Sequence, residues 1–166
     1  MRRWLLKSTL AAAVALPALS GAAWADGGCS DATLQGEYAF GVTTYTSPAQ
    51  PNGPPEVVTG IKFFDGKGNL TQRDYQGDSG ITPFRTGEFG TYSVDADCTG
   101  SITIFMPNGS RIDAKIVISN GGRHIHEVVS ELQLPIGPGG ALTPVHPVHV
   151  SADDWKVGLD ESNNQQ

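Results

Sequence analysis

The chain has 166 residues, 17 acidic and 11 basic, for a formal charge of −6. That length suits a single domain. The acidic balance repels phosphate backbones and anionic lipid, which argues against nucleic-acid and polybasic membrane binding.

Residues 1–25 read as a secretory signal peptide. Arg2, Arg3 and Lys7 form a charged start with no acid, Leu10 to Leu19 is an Ala/Leu-rich apolar run, and Ala23-Trp24-Ala25 is an A-x-A cleavage site. Arg2-Arg3-Trp4-Leu5-Leu6-Lys7 also resembles the twin-arginine export signal, and both export routes fit these residues. Cleavage after Ala25 leaves 141 residues carrying all 17 acids and 8 of the basic side chains, a net charge of −9. No later stretch reaches the ~18 consecutive apolar residues of a membrane-spanning helix. The expected location is periplasmic or extracellular.

Cys29 follows Asp26-Gly27-Gly28, which is not the apolar context of a lipid-anchoring signal. Two cysteines in an exported chain most simply pair, so a Cys29–Cys98 disulfide is expected to staple the start of the first strand to a mid-chain turn. A redox or metal thiol pair lacks the C-x-x-C spacing.

From Leu34 onward, β-branched and aromatic segments alternate with Gly, Asn, Asp and Pro, and no stretch sustains helical spacing. The first strand is predicted at about Gln35 to Thr46, with Tyr38, Phe40, Val42 and Thr44 on one face. The Pro-rich segment Ser47 to Pro55 cannot donate ladder hydrogen bonds at its prolines and lies outside the sheet. Glu56 to Phe64 follows, and Asp65-Gly66-Lys67-Gly68-Asn69 supplies a tight hairpin into Leu70 to Tyr75. That turn is oxygen-rich but lacks the spacing and terminal Glu of a calcium loop. Beyond a stretch around Gly77 to Gly80, strands are predicted at Gly87 to Asp95, Ser101 to Met106, Arg111 to Ser119 and His124 to Leu134.

Three connections of only a few residues make these strands antiparallel neighbours in an up-and-down meander. An eighth strand is placed at Ala141 to Val150, where Pro144 and Pro147 permit only an edge or a bulge. Closing the meander removes its two open edges, so the predicted fold is all-β: a single antiparallel up-and-down β-barrel of seven to eight strands. The predicted organisation is a signal peptide at 1–25, the barrel at 26–140, and a His/Pro-containing segment with a flexible acidic tail at 141–166.

Three motifs carry a resemblance: Cys29-Ser30-Asp31-Ala32-Thr33-Leu34-Gln35-Gly36-Glu37-Tyr38-Ala39-Phe40, Phe64-Asp65-Gly66-Lys67-Gly68-Asn69-Leu70, and Gly90-Thr91-Tyr92-Ser93-Val94-Asp95-Ala96-Asp97-Cys98-Thr99-Gly100-Ser101. Together, over about Cys29 to Leu134, they resemble small secreted bacterial proteins of unassigned activity. That resemblance implies a calycin-like or allene-oxide-cyclase-like barrel and little about function. Leu34-Gln35-Gly36-Glu37-Tyr38 also resembles the lipocalin G-x-W opening, with Tyr38 in place of Trp. This implies that Ser30 caps a short turn closing one end of the barrel and that Tyr38 plugs its floor.

All four histidines lie between residues 124 and 149. His124 and His126, two apart on a strand, share a face and can present two imidazoles to one divalent metal. His124-Ile125-His126, Glu131 and Gly137 resemble the first cupin metal motif, and Pro144 with His149 a loose second one. Here only a Pro/Gly-rich linker separates the two, and alternation puts Glu131 on the face opposite His126 unless a bulge intervenes. His146 and His149 sit in the extended Pro-Val-His-Pro-Val-His segment, which either folds back to complete such a site or belongs to a mobile tail. If His124 and His126 face outward, Ile125 and Val129 line the core.

Ile112, Ala114, Ile116 and Ile118 form one apolar face that fills the barrel or lines a cavity. Phe40, Val42, Ile112 and Ile116 are the expected contacts for a small apolar or amphipathic ligand, entering at the end ringed by the Pro-rich loop and the Gly77 to Pro83 stretch. No catalytic residue is singled out: there is no G-x-S-x-G elbow, and no free thiol if the disulfide forms. Asp95/Asp97 and Asp153/Asp154 read as turn and tail residues. The expectation is a ligand-binding exported barrel without a cofactor. The alternatives are a cupin-like metal enzyme using His124 and His126, and a structural or cell-surface interaction domain with a filled core.

Overall fold

The computed structural model describes residues 28–44, 57–77, 84–136, 140–145 and 150–158. The expected signal peptide, the Pro-rich loop, residues 78–83, His146, His149 and the last eight residues lie outside these. After a short 3-10 turn (Asp31–Thr33) the chain forms β1 (Gln35–Thr44), β2 (Val57–Asp65), β3 (Asn69–Gly77), β4 (Arg85–Val94), β5 (Thr99–Phe105), β6 (Arg111–Ser119), β7 (His124–Pro135), β8 (Leu142–Val145) and β9 (Val150–Lys156).

Strands β1 to β7 pair in sequence, all antiparallel. Strand β9 then pairs with β7 on one side and β1 on the other, closing a calycin-like barrel of eight strands. Strand β8 pairs only with the far half of β7, Leu132 to Pro135, the edge position its proline requires.

The segment from Ser151 onward was expected to fray, and here the structure corrects the expectation. Val150–Lys156 is the closing stave, so the barrel takes in chain beyond residue 140. Its alternation of buried Ala152 and Asp154 with exposed Asp153 and Trp155 is strand periodicity, hidden in the sequence because one inward position is an acid.

Eight strands enclose a narrow interior, and the wall must bend sharply to close. At inward positions of β2 and β4, glycine permits this: a Cβ on Gly60 would lie 2.2 Å from Arg73 O, and one on Gly90 would lie 2.0 Å from Thr103 O. The hairpin at Asp65 to Asn69 forms as read, with Gly66 and Gly68 at φ +74° and +93°. Asp65 Oδ1 accepts from the N–H groups of Lys67 (2.7 Å) and Asn69 (2.9 Å).

One end of the barrel is packed shut. Leu34, Tyr38, Phe64 and Ile125 are completely buried there beside Tyr92, Ile116 and Ile118. Phe64 meets Tyr38 and Tyr92 edge-on, with centroids 5.2 and 5.0 Å apart. The Tyr38 hydroxyl donates to Gly122 O, the floor-plugging role its motif implies, and burial pushes its pKa up to about 12. The 3-10 turn lies against this end: Ser30 N–H donates to Thr33 Oγ1 at 3.0 Å, and Val94 N–H donates to Asp31 Oδ1 at 2.8 Å. The Cys29–Cys98 disulfide ties the same turn to the β4–β5 connection.

Candidate functional site

The other end is hollow. A cavity of about 260 Å³ opens where β1 and β3 run out, the end at which ligand entry was expected. Its apolar wall includes Phe40, Val42, Ile104, Ile112, Val129 and Leu132. Of the four residues expected to meet a ligand, Phe40, Val42 and Ile112 line it. Ile116 does not: four residues further along β6, it falls within the packed end.

A layer of charged residues crosses the barrel between plug and cavity. Lys62 on β2 is almost completely buried, with Nζ 2.6 Å from Glu127 Oε1 on β7 and 3.0 Å from Asp154 Oδ2 on β9, and 4.7 Å from the Phe40 ring centroid. Beside it, Arg85 Nε donates to Asp74 Oδ1 at 2.7 Å. Gln72 Nε2 donates to Glu88 Oε2 at 2.7 Å and to Asp74 Oδ2 at 3.1 Å. Lys62, Gln72, Asp74, Arg85 and Glu127 all border the cavity. Gln72 Oε1 and Ser110 Oγ, also on its lining, are buried without a hydrogen-bond partner among the described residues.

This layer was missed in the sequence. In Gly60-Ile61-Lys62-Phe63-Phe64 the apolar Ile61 and Phe63 look like the inward pair, yet Lys62 and Phe64 point in and Phe63 is exposed. Asp153 and Asp154, read together as tail residues, lie on opposite faces of β9, and Asp154 is wholly buried. Asp97 is the turn residue expected: its Oδ1 accepts from Thr99 N–H at 3.0 Å and Oγ1 at 2.6 Å.

Two acids share one lysine, and burial decides which charges survive. Burial alone would lower the Lys62 pKa, but the attraction of Asp154 and Glu127 outweighs it and holds the ammonium above its ordinary value. Burial pushes Asp154 up to about 8 despite Lys62, and burial together with neighbouring Asp74 raises Glu88.

A carboxyl group whose pKa is raised by folding stabilises the native state below its unfolded value, and that contribution is lost as pH rises through the folded value. For Asp154 the window runs from the ordinary 3.8 to about 8. Across it, unfolding free energy is expected to fall with pH by up to ~1.4 kcal/mol per unit. Asp154→Asn should flatten this slope, as read by urea melts of both proteins between about pH 5 and pH 8. Parallel curves would mean that Asp154 is ionised throughout.

On the outer wall, His124 and His126 do share a face of β7, with Ile125, Glu127 and Val129 turned inward. Opposite them on β9 stand Trp155 and Asp153. Asp153 Oδ1 lies 3.1 Å from His124 Nε2 and 2.8 Å from His126 Nδ1. A bulge in β7 sets Val129 opposite Ala114 and Glu131 opposite Asp113, leaving Ser130 over. It turns Glu131 to the histidines' face, but five residues beyond His126, where it accepts from Gln133 Nε2 at 2.6 Å. The carboxylate that meets the imidazoles is therefore Asp153, a cross-strand partner absent from any linear motif.

No family model matches the chain, and none of the curated proteins matches it. The solved structure of EF1p2_mFAP2b bound to DFHBI aligns over 75% of this chain and 94% of its own at a TM-score of 0.50 and 10% sequence identity, a likeness of fold. Among the described residues no helix is long and apolar enough to cross a membrane.

Proposed function

We propose that this protein is an exported binding barrel that holds a small amphipathic molecule, with its apolar body along Phe40, Val42, Ile112 and Leu132 and its polar end at the Lys62–Glu127–Asp74–Gln72 layer. The observation that carries this is the cavity itself: about 260 Å³ between apolar walls and a charged floor, with Gln72 Oε1 and Ser110 Oγ left without partners among the described residues. An apolar cavity of about 150 Å³ suffices for benzene. A buried polar atom without a partner costs free energy that a bound group can recover. The aligned barrel that holds DFHBI supports the same reading at the level of fold.

The polar layer favours one class of head group. Among the described residues the layer sets four acids, Asp74, Glu88, Glu127 and Asp154, against two cations, Lys62 and Arg85. The Asp154 and Glu88 carboxyls, which burial makes readier to hold a proton, can release one to offset a cationic head, whereas no further cation of the layer can offset an added carboxylate. A neutral or cationic head that donates hydrogen bonds is the better match. The disulfide and the N-terminal residues support export into an oxidising compartment. The cupin-like enzyme finds no support in His124 and His126, which face away from the cavity, and the filled-core alternative finds none in the hollow end.

The test uses N-phenyl-1-naphthylamine, a neutral fluorescent amine. Its emission should rise on binding, decylamine should displace it at lower concentration than decanoate, and Ile112→Trp should weaken binding at least ~10-fold while the fold is retained. Equal binding by the Ile112→Trp protein would remove the cavity as the site. Displacement by decanoate in preference to decylamine would overturn the head-group assignment.

A further inference from the structure

The barrel is closed by β9 lying against β7, and the outer face of that seam brings together groups that neither the cavity nor the packed end uses. Asp153 Oδ1 is 3.1 Å from His124 Nε2 and 2.8 Å from His126 Nδ1, and the ligand atoms of all three residues lie within 4.8 Å of one another. Trp155 stacks on His124 with centroids 3.6 Å apart and planes 13° from parallel, and His124 is buried beneath it. Asp153 and His126 are more than half exposed at their side chains, so the cluster is open to solvent on one side.

We infer that His124, His126 and Asp153 form a three-ligand site for a divalent first-row transition metal on the outside of the barrel, clipping the closing strand to β7. Bonds of about 2.0–2.2 Å from a metal to imidazole nitrogen or carboxylate oxygen place neighbouring ligand atoms about 3.0 Å apart in octahedral and about 3.3 Å apart in tetrahedral geometry. The two nitrogen–oxygen separations already fall near those edges. Two imidazoles and one carboxylate select zinc, nickel or copper over calcium or magnesium, which take oxygen ligands.

The stacked indole holds the His124 ring, so one ligand is preorganised and the other two need only small side-chain rotations. The exposed side leaves at least one coordination position to water. A metal held here binds the closed barrel and not the unfolded chain, in which residues 126 and 153 are separated, so its binding also favours closure.

The test is calorimetric titration of the full chain with nickel and zinc chloride, paired with tryptophan fluorescence. The expected result is one site per chain, at least ~10-fold weaker in His126→Ala and in Asp153→Asn and unchanged in Glu131→Gln. Nickel should quench part of the emission, and that part should vanish in Trp155→Phe while the calorimetric binding persists. His146→Ala/His149→Ala should bind as the unaltered chain does. Absence of saturable binding, undiminished binding in both site variants, or loss of binding in the His146/His149 variant would overturn the assignment. Both site substitutions fall on exposed side chains, and circular dichroism checks that each variant keeps its sheet.

Discussion

Lys62→Met is expected to lower unfolding free energy by about 3–5 kcal/mol at about pH 7.5, the cost typical of removing one partner from a buried ion pair. The Glu127 carboxylate would then stay inside the barrel, 6% exposed, without the cation 2.6 Å from it and beside Asp154, which burial already keeps mostly protonated at that pH. The loss should shrink on acidification to about pH 5, because a carboxyl group deprived of its cation takes a proton more readily and a neutral acid tolerates burial. A triple variant, Lys62→Met with Glu127→Leu and Asp154→Leu, removes charge and countercharge together and should recover most of the lost stability. Urea melts of the three proteins at both pH values decide the matter. A loss as large at pH 5 as at pH 7.5, or one the triple variant does not repair, would mean that the packing of the Lys62 side chain matters more than its charge.

Replacing both cysteines, Cys29→Ser/Cys98→Ser, is expected to cost a comparable amount. The bond closes a 69-residue separation. Freeing a loop of that size restores chain entropy to the unfolded state worth ~4 kcal/mol, within the 2–5 kcal/mol seen when native disulfides are removed from small domains. The bond joins the 3-10 turn to the β4–β5 connection at the packed end, and the cavity opens at the other. Under conditions where the double variant stays folded, it should therefore bind N-phenyl-1-naphthylamine as the unaltered chain does. Urea melts with and without reductant measure the first effect and a fluorescence titration the second. A reductant-insensitive midpoint would show that the bond does not form in solution. Weakened binding by the folded variant would show that the two ends of the barrel are coupled.

The largest expected losses thus come from two cross-links of different kinds, one acting chiefly on the unfolded chain and one within the native interior. The cysteine bond was readable because two thiols, in a chain whose first residues read as a secretory signal, leave one simple pairing. The Lys62 cross-link was not, because it depends on which face of β2 turns inward. Ile61 and Phe63 compete with Lys62 and Phe64 for that face, and the local pattern favours the wholly apolar pair, which is the one that faces out. Ile112 and Ile116 show the same limit along the barrel axis: both lie on the apolar face of β6, but one reaches the cavity and the other the plug.

What the sequence determined by itself is what depends on neighbours a few residues apart: strand periodicity, hairpin turns with positive φ at Gly66 and Gly68, and short connections that make β4 to β7 consecutive antiparallel staves. The inward face of β1 at Tyr38, Phe40 and Val42 and the shared face of His124 and His126 follow from the same two-residue alternation. Tertiary structure alone decided what depends on closure. Asp153 and Asp154 become a candidate metal ligand and a buried counter-ion only when β9 inserts between β7 and β1. Residues 62, 127 and 154 are distant in the chain, and a lysine and two acids read as surface residues until the curved wall turns them toward one another.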